Sequence, residues 1–394
     1  MPEPSVPFDV PTRTRIVYGP GRIRELGALA GEWAARRALL VTDPALVRVG
    51  HAERARAALA GAGIEVVIFD AVRENPDTDD VDACLAVARD ARVDTLVGLG
   101  GGSSLDTAKG CNFLLTNGGR MADYWGRDKA TRPMLPMIAV PTTAGTGSEC
   151  QSFALIADAA SHAKMACGDV KAAPRVALLD PELTVTQPRH VTADTGVDTL
   201  THALESAVTT ARSDGSSALA RRAFALAMTH LPVVLERPHD LDARGHMQLA
   251  AAYAGIAIEA SMLGAAHAAA NPLTAHHGVV HGRAVGLTIV PVIRHNAADP
   301  AIAALYAALS REARLAGAAS GDAGAVAALL AALERVLELA RLPRSLAAAG
   351  VESADIPVLA AEAATQWTAR FNPRPVSERD FASFYRSLAS ASPA

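Results

Sequence analysis

Aromatic residues are scarce in this chain, 4% of its 394 residues. Its core must therefore be built from Ala, Val, Leu and Ile. Cysteine is scarce too. Cys84, Cys111, Cys150 and Cys167 are scattered with no CxxC pair, a pattern that fits free thiols in a reduced, cytoplasmic setting. There is no long basic block, and the formal net charge is −4, which argues against nucleic acid as a partner. The first stretch, MPEPSVPFDVPTRTRIVYG, lacks the apolar run of a secretory signal. No membrane span is expected either. The most apolar late segment, residues 323–343, carries Glu334, Arg335, Glu338 and Arg341 and reads as an amphipathic core helix. The closing ASASPA is expected to fray.

What is present in quantity is apolar: half of the residues are hydrophobic, enough for a sizeable core. The first half alternates two kinds of segment. Residues 15–19, 37–43, 64–70, 95–102 and 137–143 read as strands. Residues 51–63 and 77–92 read as helices, the second with acidic residues in its first turn. Such alternation predicts a mainly parallel sheet with helices on its faces. Residues 173–190 are punctuated by proline, and beyond them the pattern is almost wholly helical. The expected division is residues 1–185 as a nucleotide-binding α/β domain and 186–394 as an all-helical domain.

Two glycine-bearing turns follow strands. In TLVGLGGGSSLDTAKG, Gly100, Gly101 and Gly102 allow close backbone approach. Ser103 or Ser104 is placed to cap the next helix, with Asp106 in its first turn. The free N–H groups there favour a phosphate. The same turn also serves as a plain strand-to-helix connection. PTTAGTGSE (141–149) offers the hydroxyls of Thr142, Thr143, Thr146 and Ser148. Two such loops after parallel strands share the carboxyl edge of the sheet, where ligands bind. Asp43 ends another strand. Its carboxylate suits the ribose hydroxyls of NAD and repels a 2′-phosphate, and it equally suits the N-cap of the next helix.

In the second half, Asp198 and His202 stand four apart on a helical pattern, so they share a face. They lie among Val197, Leu200, Ala203 and Leu204, and a buried Asp–His pair needs a partner that a divalent metal supplies. Four of the twelve histidines crowd into residues 267–282, HAAANPLTAHHGVVHG. His267 and His281 can add two imidazoles to Asp198 and His202. Three nitrogens and one oxygen suit Fe2+ or Zn2+, not Ca2+ or Mg2+. A loop containing Pro272 and Gly278 is expected to fold the two rings back.

GGGSSLDTAKG, PTTAGTGSE, DTLTHALES and the spaced histidines ending in HG occur in that order. With them the chain resembles the group III, iron-containing alcohol dehydrogenases, in the superfamily of glycerol dehydrogenase and dehydroquinate synthase. The resemblance runs from TRIVYG to FNPRP. It implies an N-terminal nucleotide-binding α/β domain, a helical C-terminal domain and an active site in the cleft between them. It assigns the metal to Asp198, His202, His267 and His281. It assigns cofactor contacts to Asp43, Asn75, Gly101, Gly102, Ser103, Asp106, Thr142, Thr143 and Lys164. It further implies NAD in preference to NADP, Fe2+ with Zn2+ as the other option, and a homodimer or larger assembly.

The chain departs from the family in three places. Asn271 stands where many members carry a further histidine near the nicotinamide, and an amide is neither acid nor base near neutral pH. Asn271 is left with positioning the substrate or nicotinamide. His277, where an aromatic residue is usual, is either the candidate proton relay or, like His276, a polar residue lining the cleft. Phe153 replaces a polar cofactor contact. The expected activity is hydride transfer between NAD(H) and an alcohol–aldehyde or alcohol–ketone pair. One rival is a lyase or cyclase of the dehydroquinate synthase kind, which needs a Lys/Arg cluster for a phosphorylated substrate; near the ligands the helical half shows only Arg283. The other rival is a non-catalytic nucleotide-binding protein, against which the complete ligand set argues.

Overall fold

The structure is a computed structural model that describes residues 13–161 and 163–389. The N-terminal stretch through Thr12 and nearly all of the ASASPA tail lie outside the described residues. The chain divides into two compact units. One runs to Gln187 and the other begins at Pro188.

In the first unit the strands are β1 (Arg15–Tyr18), β2 (Arg37–Val41), β3 (Glu65–Phe69), β4 (Thr95–Gly100), β5 (Gly126–Arg127), β6 (Met137–Pro141), β7 (Phe153–Ala157), β8 (Lys164–Gly168) and β9 (Val176–Leu179). The helices are α1 (Leu26–Gly31), α2 (Pro44–Arg48), α3 (His51–Gly61), α4 (Thr78–Ala91) and α5 (Gly102–Asn117). Six strands form one sheet in the order β1-β9-β6-β4-β2-β3, and every pairing in it is parallel. A smaller sheet has the order β5-β8-β7.

Side chains alternate across the large sheet with the two-residue period of a strand. Leu39, Val41, Leu96, Met137 and Ala139 pack with Val81 and Leu85 of α4 and Leu105 and Phe113 of α5. Ala38, Leu40, Val97, Leu99, Ile138 and Val140 pack on the other face, with Leu26 and Leu29 of α1 and Ala55 and Leu59 of α3. Both faces are covered, so these strands read as unbroken apolar runs.

The strand order locates the ligand edge. β2 has β3 on one side and β4 on the other. The chain therefore reverses its direction of travel between β2 and β4, and a crevice opens there beyond the carboxyl ends of the strands. Asp43 follows β2 and Gly101 follows β4.

The proline-punctuated residues 173–190 contain a strand: Val176–Leu179 pairs with both β1 and β6. Contrary to expectation, Ser103 and Ser104 do not cap α5. The helix starts at Gly102 with Gly101 as its N-cap and no side-chain bond. That places both serines inside the helix and moves Asp106 out of its first turn.

The second unit holds α6 (Arg189–Val208), α7 (Asp214–Glu236), α8 (Leu241–Glu259), α9 (Ala265–His277), α10 (His281–Asn296), α11 (Pro300–Glu312), α12 (Asp322–Leu339), α13 (Ile356–Thr365) and α14 (Glu378–Ala389). With few rings to bury, α6, α7 and α8 close on small residues such as Ala203, Ala220, Ala223, Ala250 and Ala254, all fully or almost fully buried. Among the described residues α7 is the helix long and apolar enough to cross a membrane by length and composition. Its Leu219, Phe224 and Leu231 are buried within the unit. Pro272 is not in a loop: it lies inside α9, where it forfeits one helical N–H bond.

Candidate active site

α6 places Asp194, Asp198, His202 and Glu205 on one face, because their spacings of three and four residues match its period. α9 brings His267 and α10 begins with His281. Nε2 of His202, His267 and His281 lie 3.3, 3.6 and 3.7 Å from one atom, Oδ1 of Asp198. The rings of His202 and His267 stack, with centroids 4.8 Å apart. Asp198, His202 and His267 are sealed, while the His281 side chain is 32% exposed, so the cluster opens on that side. Gly282 explains how α10 comes so close to α6. A Cβ there would stand 2.0 Å from the carbonyl oxygen of Asp194. Arg283 then pairs with the Asp194 carboxylate at 3.2 Å.

Asp198 Oδ1 and His267 Nε2 are buried without a hydrogen-bond partner among the described residues. Such orphans are costly. Burial alone would raise the Asp198 carboxyl, but the His202, His267 and His281 imidazoles outweigh it and hold it well below the usual carboxylate range. For His267, burial lowers its proton affinity; the Glu205 and Asp198 carboxylates prevail and push it up to about 9. The cluster thus calls for positive charge at its centre. A divalent transition ion supplies that charge and partners both orphans, and three imidazoles with one carboxylate are a donor set for iron or zinc. The residues fit such an ion.

Glu205 was missed in the sequence. Its carboxylate accepts from Nδ1 of His267 at 2.6 Å and from the N–H of Ala266 at 2.6 Å. A carboxylate behind a ligating imidazole fixes its tautomer and raises its basicity. The available signal was a glutamate buried in the same apolar run as His202. Asn372, in the FNPRP stretch, braces the same corner. It exchanges hydrogen bonds with Asn296 and accepts from the N–H of Ala265, the first residue of α9.

The other two histidines of the crowded window are paired with carboxylates outside the cluster. His276 Nε2 lies 2.8 Å from Glu362, and His277 Nε2 lies 3.5 Å from Asp355. The Asn271 amide donates to Gln366 Oε1 at 3.0 Å.

In the α/β unit the two glycine-bearing loops converge. The N–H of Thr142 donates to the Gly100 carbonyl at 2.9 Å, and Thr143 packs against Gly101. A Cβ on Gly102 would meet Thr146 at 2.8 Å, so residues 141–149 fold directly over the start of α5. Gly101, Gly102 and Ser103 are partly exposed and present the unpaired N–H groups of a helix start. Thr142 is buried, its hydroxyl accepting from Gln187. Asp106 is buried and occupied: Oδ1 accepts from Ser148 Oγ at 2.5 Å and Oδ2 from the N–H of Leu155. The fully buried Lys109 donates to Ser148 and to the Phe153 carbonyl.

Asp43 is the N-cap of α2, with Oδ1 accepting from the N–H groups of Ala45 and Leu46. Asn75 is exposed in the loop after β3, with φ +53°. Ala157 links it to Lys164. Ala157 pairs with Lys164 across β7–β8, and its N–H donates to the Pro76 carbonyl at 2.9 Å.

Comparison with known proteins agrees with both units. The model of the family "Iron-containing alcohol dehydrogenase" matches residues 13–181, and that of the "Fe-containing alcohol dehydrogenase family, C-terminal" matches residues 192–389. An NAD-dependent methanol dehydrogenase of Bacillus methanolicus is 34% identical over 94% of this chain and 97% of its own length. A 1,3-propanediol oxidoreductase structure superposes with a TM-score of 0.93 at 31% identity, covering 97% of this chain and 100% of its own. A sulfoacetaldehyde reductase from Bifidobacterium kashiwanohense, solved in complex with NAD+, superposes with a TM-score of 0.88 at 28% identity, covering 98% and 100%.

Proposed function

The chain belongs to the iron-containing alcohol dehydrogenase family, an oxidoreductase family acting on CH–OH groups, and on that premise we propose that it interconverts an alcohol and its aldehyde or ketone with NAD(H) and Fe2+. The observation that carries the reading is the convergence of three imidazole Nε2 atoms on Asp198 Oδ1. When bound, the ion supplies a Lewis acid for the substrate oxygen and the nicotinamide supplies the hydride acceptor or donor.

The chain's own residues do the rest. Asp198, His202, His267 and His281 hold the ion, and Glu205 orients His267. The partly exposed His281 side is where a small alcohol enters. Gly101, Gly102 and Ser103 bind the pyrophosphate through backbone N–H groups, and Thr142 and Thr143 shape the facing loop. Asp43 has a second carboxylate oxygen for the ribose, which favours NAD over NADP. Asn75 and Lys164 flank the end of β7, in reach of a further part of the nucleotide. Asp106 serves the cofactor through the loop it holds, by way of Ser148 and Leu155. Asn271 positions substrate or nicotinamide. His277, beside Asp355, is the candidate proton relay, and its replacement by alanine should remove an ionisation from the pH–rate profile.

The lyase reading is not favoured. Arg283, the one basic residue it had near the ligands, is engaged by Asp194. The four cysteines are unpaired, which suits a reducing cytoplasm, and the reading includes a homodimer.

Protein purified without oxygen should carry close to one iron per chain and oxidise members of an alcohol panel with NAD. Chelation should abolish turnover and Fe2+ should restore it. Full activity in metal-free protein would overturn the reading, as would wild-type iron content together with wild-type turnover in His281→Ala. His276→Ala should keep its metal.

A further inference from the structure

The helical unit contains a second cluster of metal-type side chains, which shares no residue with the Asp198 centre. His230 lies on α7, and Asp242 and His246 lie on α8. One ligand atom from each falls within 4.8 Å of the others. The two imidazoles lie face to face, with centroids 4.2 Å apart and planes 6° from parallel.

Local structure prepares this arrangement. α7 and α8 are joined only by residues 237–240, so they fold as a hairpin. Asp242 and His246 are four apart and share a face. Nδ1 of His246 lies 2.8 Å from the backbone carbonyl of Asp242. A carbonyl only accepts, so Nδ1 is the donor and Nε2 is the nitrogen left for an ion. Ligating histidines are commonly fixed in this way, by donating their other N–H to a carbonyl or carboxylate. Asp240 is occupied elsewhere: it caps α8 through the N–H of Ala243 and pairs with Arg237. Asp242 is not so occupied. Its side chain is 79% exposed, and one of its oxygens lies 3.4 Å from Nδ1 of His246.

We propose that His230, Asp242 and His246 form a second divalent-metal site, selective for borderline transition ions such as Zn2+ and Ni2+. Two imidazoles and one carboxylate exclude Mg2+ and Ca2+, which take oxygen donors. Three protein ligands leave coordination positions open to water. The ion ties α7 to α8 and stabilises the folded hairpin by an amount that grows with the logarithm of free ion above its dissociation constant.

The test is a count of bound Zn2+ by equilibrium dialysis of the full chain. Wild type should bind one Zn2+ more per chain than either His230→Gln or His246→Gln. Asp198→Ala should keep the hairpin ion, which separates the two sites. Losing one imidazole should weaken hairpin binding by about 100-fold or more, beyond the usual loss for residues that only support a ligand. Zn2+ should raise the melting temperature of iron-loaded wild type and leave that of both variants unchanged. Melting in chelator should be alike for all three, since these side chains are only partly buried; if one variant folds poorly, the other decides. Equal Zn2+ counts in wild type and the folded variant would overturn the proposal, as would Mg2+ binding at the hairpin with the affinity of Zn2+.

Discussion

Glu205 accepts a 2.6 Å hydrogen bond from Nδ1 of His267, a residue sixty-two positions further along the chain. Nε2 of the same ring faces Asp198 Oδ1 at 3.6 Å. The glutamate therefore selects the tautomer of a ring whose other nitrogen meets the proposed ion.

Removing that charge should loosen the ion. Glu205→Gln should lower Fe2+ or Zn2+ affinity about 10–100-fold, read by competition with a chromophoric chelator, with helix content retained. Glu205→Ala should also lower the melting temperature. It strips the acceptor from His267 and Ala266, and each buried donor left unpaired costs about 1–3 kcal/mol. Unchanged affinity in Glu205→Gln would leave the glutamate with a packing role only.

Asp43 has two duties, and one substitution separates them. Serine keeps the N-cap of α2 but removes the carboxylate. Asp43→Ser should melt close to wild type while its preference for NADH over NADPH narrows on the order of tenfold, the equivalent of a single partly screened charge repulsion. If the ratio of kcat/KM values for the two cofactors does not move, Asp43 is a cap alone.

Glu149 should make stability fall as pH rises. It is buried, and burial raises its carboxyl from 4.5 to about 7, against its own backbone N–H and the Lys109 charge. Below the unfolded value both states hold the proton and there is no penalty. Between the two values the unfolded chain ionises first, and folding loses ground. Above the folded value the loss is complete, up to about 3 kcal/mol. Glu149→Gln should therefore gain most over wild type near pH 8 and much less near pH 5. Urea unfolding at both pH values checks this. A gain that is equal at both would mean that Glu149 is already ionised in the folded chain at the lower pH.

Much of the first unit was legible because its signals are local. A short apolar run fits a strand buried on both faces, and β2, β4 and β6 lie within stretches that read as strands. β9 was hidden, since Val176–Leu179 is four residues between prolines and becomes a strand only by pairing with β1 and β6. β7 and β8 were missed for a similar reason: the smaller sheet is defined by partners distant in sequence. Pro272 misled in the other direction. A proline is a sound loop signal on average, but packing of α9 holds this one inside a helix.

The sequence by itself determined that Asp198 and His202 share a helix face, and that the glycine turns stand at the ends of strands. Both follow from periods set by the backbone's own hydrogen bonding. It did not determine that Glu205 stands behind His267, or that His230 faces His246. Those relations depend on how closely one helix approaches another. That approach is fixed by packing between residues far apart in the chain, as where the missing Cβ of Gly282 lets α10 rest on the backbone of α6.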